Sequence, residues 1–209
     1  MRETTNKTRT PKQGRSKARV ESILAAAKSL IEEKGSAQVK IQEIAQKAEV
    51  SVSSMYQYFP DKSAIIHALF EQYLHKVRSL FKEYIVEINS VADLSRNLGQ
   101  LLDHYYELYH NEPVFRDIVA IGEADKRMQD IDIEDSQQNA QLIFEATRHL
   151  VPKEKQEDLH RYLFLMMHLT NGVVQLATYW SKKDIEEAKK MVEISKNLVA
   201  EDVLQKFFK

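Results

Sequence analysis

The chain of 209 residues has no cysteine, only five glycines and four prolines, and no unbroken apolar run of the roughly 18 residues that a membrane helix needs. Each scarcity removes a class of protein. Without Cys there is no disulfide framework, no thiolate metal site, no thiol nucleophile and no thiol redox sensor, and a reducing cytoplasm is the expected location. So little Gly and Pro argues against an all-β or turn-rich fold and leaves no Gly-rich phosphate loop. The polar N-terminal stretch MRETTNKTRTPKQGRSK lacks the apolar core of a secretion signal. No cofactor is implied.

What is present is an uneven charge. The formal net charge of −1 is a sum of unlike parts. Residues 1–62 hold 12 Lys and Arg against 7 Asp and Glu, a net +5, and residues 63–209 carry −6. Seven basic side chains fall within the first 20 residues. A basic end on an acidic body points to a polyanion as partner of the N-terminal part.

The apolar spacing predicts helices throughout and no strand. The stretch to about Gly14 reads as a basic, mobile tail. Val20, Ile23, Leu24, Ala27, Leu30 and Ile31 then form one stripe, ended by Gly35. A short helix over 41–48 has Ile41, Ile44, Ala45 and Ala48 inward. Ser51 caps a second short helix, 52–58, with Val52, Met55 and then Phe59 facing the core. Pro60 breaks it, and Asp61 caps a long helix through Ile88. Ser90-Val91-Ala92-Asp93 resembles a capping box. Further helices are expected at 91–109, from Pro113 to about Gly122, at 136–150, at 152–180 and, capped by Asp184, at 185–207. The acidic stretch Asp130–Asp135 reads as loop.

A short helix, a tight break and a second short helix packed on a longer one describe a helix-turn-helix. In the second member Ser53, Ser54, Tyr56, Gln57 and Tyr58 can face outward, and hydroxyls and amides suit base edges and phosphates. The stretch from Arg19 to Leu69 resembles the DNA-binding domain of the tetracycline-repressor (TetR) family. The matching residues are Ile23, Ala26-Ala27, Glu33-Lys34-Gly35, Ile41-Gln42-Glu43-Ile44-Ala45, Val50-Ser51 and, most specific, Met55-Tyr56-Gln57-Tyr58-Phe59-Pro60-Asp61-Lys62-Ser63. The resemblance implies that Gln42 reaches a base or the backbone, and that Val52, Ser53, Ser54 and Gln57 lie over bases in the major groove. Tyr56, Tyr58 and Lys62 would hold phosphates. It further implies a pseudo-palindromic operator, a homodimer and a ligand-responsive repressor. An activator or an architectural DNA-binding protein of the same fold is the alternative.

Three residues depart from the family pattern. Glu49 stands where Gly is common before the Val-Ser pair, placing a bulky residue in a left-handed turn and a negative charge near DNA. Lys40 occupies a position usually held by a Ser or Thr cap, so that cap must come from elsewhere. Val52 offers apolar contact alone. The tail cations Lys7, Arg9, Lys12, Arg15, Lys17 and Arg19 can add phosphate contacts.

The expected fold is therefore all-α: a tail (1–14), a three-helix helix-turn-helix DNA-binding domain (15–62) and a helical effector-binding and dimerisation body (63–209). Helices 152–180 and 185–207 carry long apolar stripes suited to pairing with their twins across a two-fold axis. These are Leu159, Tyr162, Leu163, Met166, Leu169, Val173 and Leu176, then Ile185, Ala188, Met191 or Val192, Ser195, Leu198, Val199 and Val203; Thr170 and Gly172 permit close approach. Candidates for a hydrophobic or aromatic effector's pocket are Tyr105, Tyr109, Phe115, Phe144, His149, Met167, His168 and Asn171, apolar walls with a few polar groups. A remote rival is a di-metal bundle enzyme, because Glu107…His110 and Glu157…His160 have the spacing that sets Glu and His on one helix face. No nucleophile-base arrangement stands out, so the reading is of a regulator and not of an enzyme.

Overall fold

A computed structural model describes residues 11–207, with side chains at 14–197 and at Phe207. Nine α-helices and two short 3-10 turns follow one another, with no strand among the described residues. The chain divides into two compact units, Met1–Glu71 and Gln72–Lys209.

The first unit holds α1 (Pro11–Lys34), α2 (Ile41–Lys47), α3 (Val52–Tyr58) and the start of α4 (Lys62–Tyr84). Helix α1 opens at Pro11, where a ring-fixed φ suits a first turn, so residues 11–14 are helical rather than tail. Of the tail cations, Lys7 and Arg9 lie outside the described residues, as does the side chain of Lys12, while Arg15, Lys17 and Arg19 are exposed on α1. Ile23, Ala27, Ile44, Met55, Ile65 and Leu69 are each at most 1% exposed and form this unit's core. Gly35 ends α1 with φ 78°, the left-handed conformation its position requires.

The second unit contains the remainder of α4, then α5 (Val91–Asn111), α6 (Pro113–Gly122), α7 (Lys126–Thr147), α8 (Gln156–Trp180) and α9 (Ile185–Phe207). The 3-10 turns Arg148–Leu150 and Lys153–Lys155 join α7 to α8, so the helix expected from Pro152 starts at Gln156. The expected caps are in place. Ser90 accepts from the Asp93 amide (3.1 Å) and Asp184 from the Glu187 amide (3.0 Å), with Pro113 at the head of α6. Asp93 is one carbon too short for a full capping box. Its carboxylate accepts from the Ser90 hydroxyl (2.7 Å) and the Asn89 amide (3.3 Å). Helix α8 packs on α7 and α9, and α5 packs on α8 and α9. No helix among the described residues is long and apolar enough to cross a membrane.

Two expectations about this unit are corrected. Asp130–Asp135 is helical, because α7 begins at Lys126 behind an Asp125 cap that accepts from the Met128 amide. Its inward stripe runs Met128, Asp135, Asn139, Ile143, Thr147 and is half polar. The apolar stripe on α8 is two stripes. Leu159, Leu163, Val174 and Ala177 are buried in the protomer, while Leu165, Leu169, Leu176 and Tyr179 are 52–60% exposed. On α9, Ala188, Val192 and Ser195 face inward and Ile185 and Ile194 outward. The side chains of Leu198, Val199 and Val203 lie outside the described residues.

Candidate nucleic-acid interface

The reading head is built by caps and clamps. Lys47 pairs with Glu33 and Lys34 with Glu43, each at 2.6 Å, binding α2 to α1. These ammonium groups hold both carboxyls below the usual carboxylate range, Glu33 through Lys47 and Glu43 through Lys34 and the Lys40 amide. Lys40 cannot accept a hydrogen bond through its side chain. Glu43 supplies the missing half, its Oε2 accepting from the Lys40 amide at 2.9 Å.

The turn into α3 is a Schellman motif. The Val50 amide donates to the Ala45 carbonyl (2.9 Å) and the Glu49 amide to the Gln46 carbonyl (3.1 Å). Glu49 occupies the left-handed position at φ 55°, as its replacement of Gly predicts. Ser51 then caps α3, its Oγ accepting from the Ser54 amide at 3.1 Å. Its hydroxyl also lies 3.0 Å from that of Ser53 and 2.9 Å from that of Ser54, so the three serines form one cluster.

Met55 and Phe59 anchor α3 in the core. Val52, expected beside them, is instead 38% exposed, because it begins the helix on the side away from Met55. The exposed face of α3 is Val52, Ser53, Tyr56 and Gln57, with Ser54 and Tyr58 half-buried and Gln42 exposed on α2. Asp61 caps α4, accepting from the Ala64 amide at 2.8 Å. Lys62 has a different occupation from the phosphate contact expected of it. Its half-buried ammonium donates to the carbonyls of Ser36 (3.1 Å) and Ala37 (3.3 Å).

In the body, the structure brings four of the eight pocket candidates together. Phe115 stacks on Tyr73 (4.5 Å between centroids) and meets the edge of Tyr109 (5.4 Å). Tyr109 lies 6.5 Å from Tyr105, whose hydroxyl donates to Asn171 Oδ1 at 2.8 Å. Burial raises both phenols, Tyr109 to about 12, so neither is ionised at neutral pH. Met167 is half-buried beside this set on α8. His149 is exposed in a 3-10 turn, Phe144 meets His160 edge-on (5.3 Å), and His168 is exposed against Phe164.

The sequence reading passed over the carboxylates of α7. Arg78 pairs with buried Asp135 at 2.5 Å, and Asn139 donates to the other Asp135 oxygen at 2.8 Å. Asp132, beside Asp135 in the field felt by Tyr105, is raised by burial and partly restored by His168. Asp135 and Asn139 four residues apart, between Met128 and Ile143, were the available signal. A separate open groove of about 590 Å³ between α7 and α8 is lined by Glu134, Gln137, Gln138, Gln141, His160, Arg161 and Phe164. Of the di-metal candidates, Glu157 pairs with Arg161 at the surface and His110 bonds Ser181; among the described residues no three metal-ligating side chains gather.

The capped helix-turn-helix joined to an all-helical body defines a DNA-binding regulator. Comparison with known proteins agrees. Residues 23–69 match the profile described as bacterial regulatory proteins of the tetR family, and residues 92–207 match the tetracyclin repressor-like C-terminal domain. The transcriptional regulator EthR of Mycolicibacterium smegmatis is 28% identical over 116 residues, 53% of this chain and 52% of that protein, so about half of its length is matched. A TetR-family regulator from Streptomyces coelicolor shares the fold with a TM-score of 0.69 at 20% identity, over 91% of this chain and 98% of that one. So does SmeT, the repressor of the Stenotrophomonas maltophilia efflux pump SmeDEF, at 0.64 and 15% identity, over 91% and 90%. SmeT has also been solved as a complex with triclosan, with a TM-score of 0.61 at 16% identity over 92% of each chain. The chain belongs to the TetR family, and it is a DNA-binding transcriptional regulator.

Proposed function

We propose that the protein is a cytoplasmic, homodimeric, ligand-responsive repressor that reads a pseudo-palindromic operator with two copies of α3. The observation that carries this is the exposed face of α3. Tyr56 and Gln57 have no hydrogen-bond partner among the described residues, while Met55, Phe59 and the Ser51 cap hold the helix that carries them. In this reading Val52, Ser53, Ser54 and Gln57 lie over bases, Tyr56 and Tyr58 reach phosphates, and Gln42 assists from α2. Ser53 and Ser54 exchange their bonds to Ser51 for bonds to DNA.

Two half-sites one helical turn apart, about 34 Å, need two heads. The exposed residues of α8 run Leu165, Leu169, Gly172, Leu176 and Tyr179, spaced four, three, four and three. That is the spacing of a helix-pairing seam, and soluble monomers seldom leave such a face to water. Ile185 and Ile194 extend it onto α9. A second copy covers it.

The effector site is the aromatic set Tyr105, Tyr109 and Phe115 with Asn171, bordered by Asp132 and Asp135. Apolar walls with a few polar groups suit a small hydrophobic or aromatic ligand, in keeping with the triclosan complex of SmeT. Helix α4 belongs to both units, so an effector that prefers one placement of α4 shifts the heads by its differential affinity alone. The test is fluorescence anisotropy of duplexes selected by the protein. Tyr56→Ala should weaken binding to every sequence and Gln57→Ala should relax discrimination between sequences. Full, discriminating binding by the Tyr56→Ala/Gln57→Ala variant would overturn the assignment.

A further inference from the structure

We infer that Lys62 is a positioning residue of the reading head: its ammonium clamps the turn that launches α2 and does not neutralise an operator phosphate. The inference rests on the DNA-binding role of α3 and concerns what sets that helix in place. Lys62 is the first residue of α4, and its Nζ reaches back 26 and 25 residues to the carbonyls of Ser36 and Ala37. Those carbonyls follow the C-terminal end of α1, where the helix dipole already favours a cation. The turn between Gly35 and Lys40 has one internal backbone hydrogen bond, from the Gln38 amide to the Gly35 carbonyl at 3.3 Å, so its shape depends on the clamp. Ser36 is 2% exposed, which places one end of the clamp in the protein interior.

The turn matters because α2 begins at its far end and α3 is set on α2 by the Glu49 turn. Lys34–Glu43 and Lys47–Glu33 fix α2 against α1, and Lys62 supplies the third tie, from α4. A phosphate contact would require the ammonium to leave two charge-assisted hydrogen bonds. The cost of that exchange leaves phosphate to Tyr56 and Tyr58, which stand free of such ties among the described residues.

The experiment compares wild type, Lys62→Met and Lys62→Arg on one duplex selected from a random library by the wild-type protein, across a salt series at a temperature where circular dichroism shows all three folded. A wild type that selects no duplex refutes the DNA-binding role itself and is thereby distinguished from failure of the clamp. The clamp predicts that Lys62→Met lowers affinity by about tenfold at every salt concentration, the scale of a lost charge-assisted bond or two, with an unchanged salt slope. Lys62→Arg, which can still donate to both carbonyls, recovers most of the affinity. A phosphate contact predicts instead that the log–log salt slope flattens by about 0.9 per protomer, with the loss fading at high salt; that result overturns the inference, as does unchanged affinity of Lys62→Met. Should Lys62→Met fail to fold, the wild type alone decides. Its Lys62 15N ammonium signal should couple to the Ser36 and Ala37 carbonyl carbons both free and on the duplex, and coupling to a DNA phosphorus on binding would overturn the clamp.

Discussion

Replacing Glu49 by Gly should stabilise the reading head. Glu49 sits at φ 55° as the closing residue of a Schellman turn, with both of the motif's hydrogen bonds made. A non-Gly residue there costs roughly 1–2 kcal/mol through the contact of Cβ with its own backbone. Glycine removes that cost but gains unfolded-state freedom worth roughly 0.5–1 kcal/mol. The net expectation is a gain of about 0.5–1 kcal/mol, a rise of about 2–8 °C in the melting of a unit this small. Amide exchange at Val50 and Met55, which report the turn and α3, should slow by a matching factor. Glu49→Gln separates strain from charge. It keeps the left-handed strain, so its melting should stay within about 0.5 kcal/mol of wild type. Its DNA affinity should rise by up to about fivefold at low salt, the scale of one exposed charge, and the gain should vanish as salt increases. A Glu49→Gly variant no more stable than Glu49→Gln would refute the strain argument, because both lack the charge and only one relieves the backbone.

Other consequences follow from the body and the clamps. Leu169→Glu/Leu176→Glu should convert the dimer to a folded monomer in analytical ultracentrifugation and abolish tight operator binding; a dimer unchanged by this pair would place the interface elsewhere. Arg78→Met should cost about 3 kcal/mol, the low end for breaking a buried pair, because Asn139 still serves Asp135. Arg78→Met/Asp135→Leu should regain most of that in urea unfolding. Asp132 is held above its ordinary value of 3.8 by burial. Its ionisation therefore opposes folding as pH rises above that value, and Asp132→Asn should stabilise at neutral pH, with the advantage disappearing in acid. Glu43 behaves oppositely. Held below its ordinary 4.5 by Lys34, it contributes stability above that pH which is lost on acidification, so Glu43→Gln should flatten the acid limb of the head's stability profile.

The head was readable because its signals are local. Ser51, Asp61 and Gly35 mark helix ends within three or four residues of the groups they serve, and a missing Gly at position 49 names its own backbone angle. The body was less so, because its decisive pairings are distant. Helix α7 was cut short because its inward stripe carries Asp135 and Asn139, whose partner Arg78 lies 57 residues from Asp135. The outer and inner apolar faces of α8 merged into one stripe, since periodicity reports apolar residues without saying which are covered by the chain itself. Val52 shows the same ambiguity in miniature. Lys62 was misassigned because its acceptors are backbone carbonyls, which no side-chain pattern reveals. Tyr105, Tyr109, Phe115 and Asn171 converge only through the packing of α5, α6 and α8, and nothing in their types separates them from Phe144 or His149.

The central claim, that two copies of this chain read one operator through α3, is tested most directly by selecting genomic fragments bound by the full-length protein and footprinting them. The account predicts a few sites, each a pseudo-palindrome with half-sites one or more helical turns apart, protected in the major groove and lost with Tyr56→Ala/Gln57→Ala. Binding without sequence preference, or sites retained by that double variant, would contradict it.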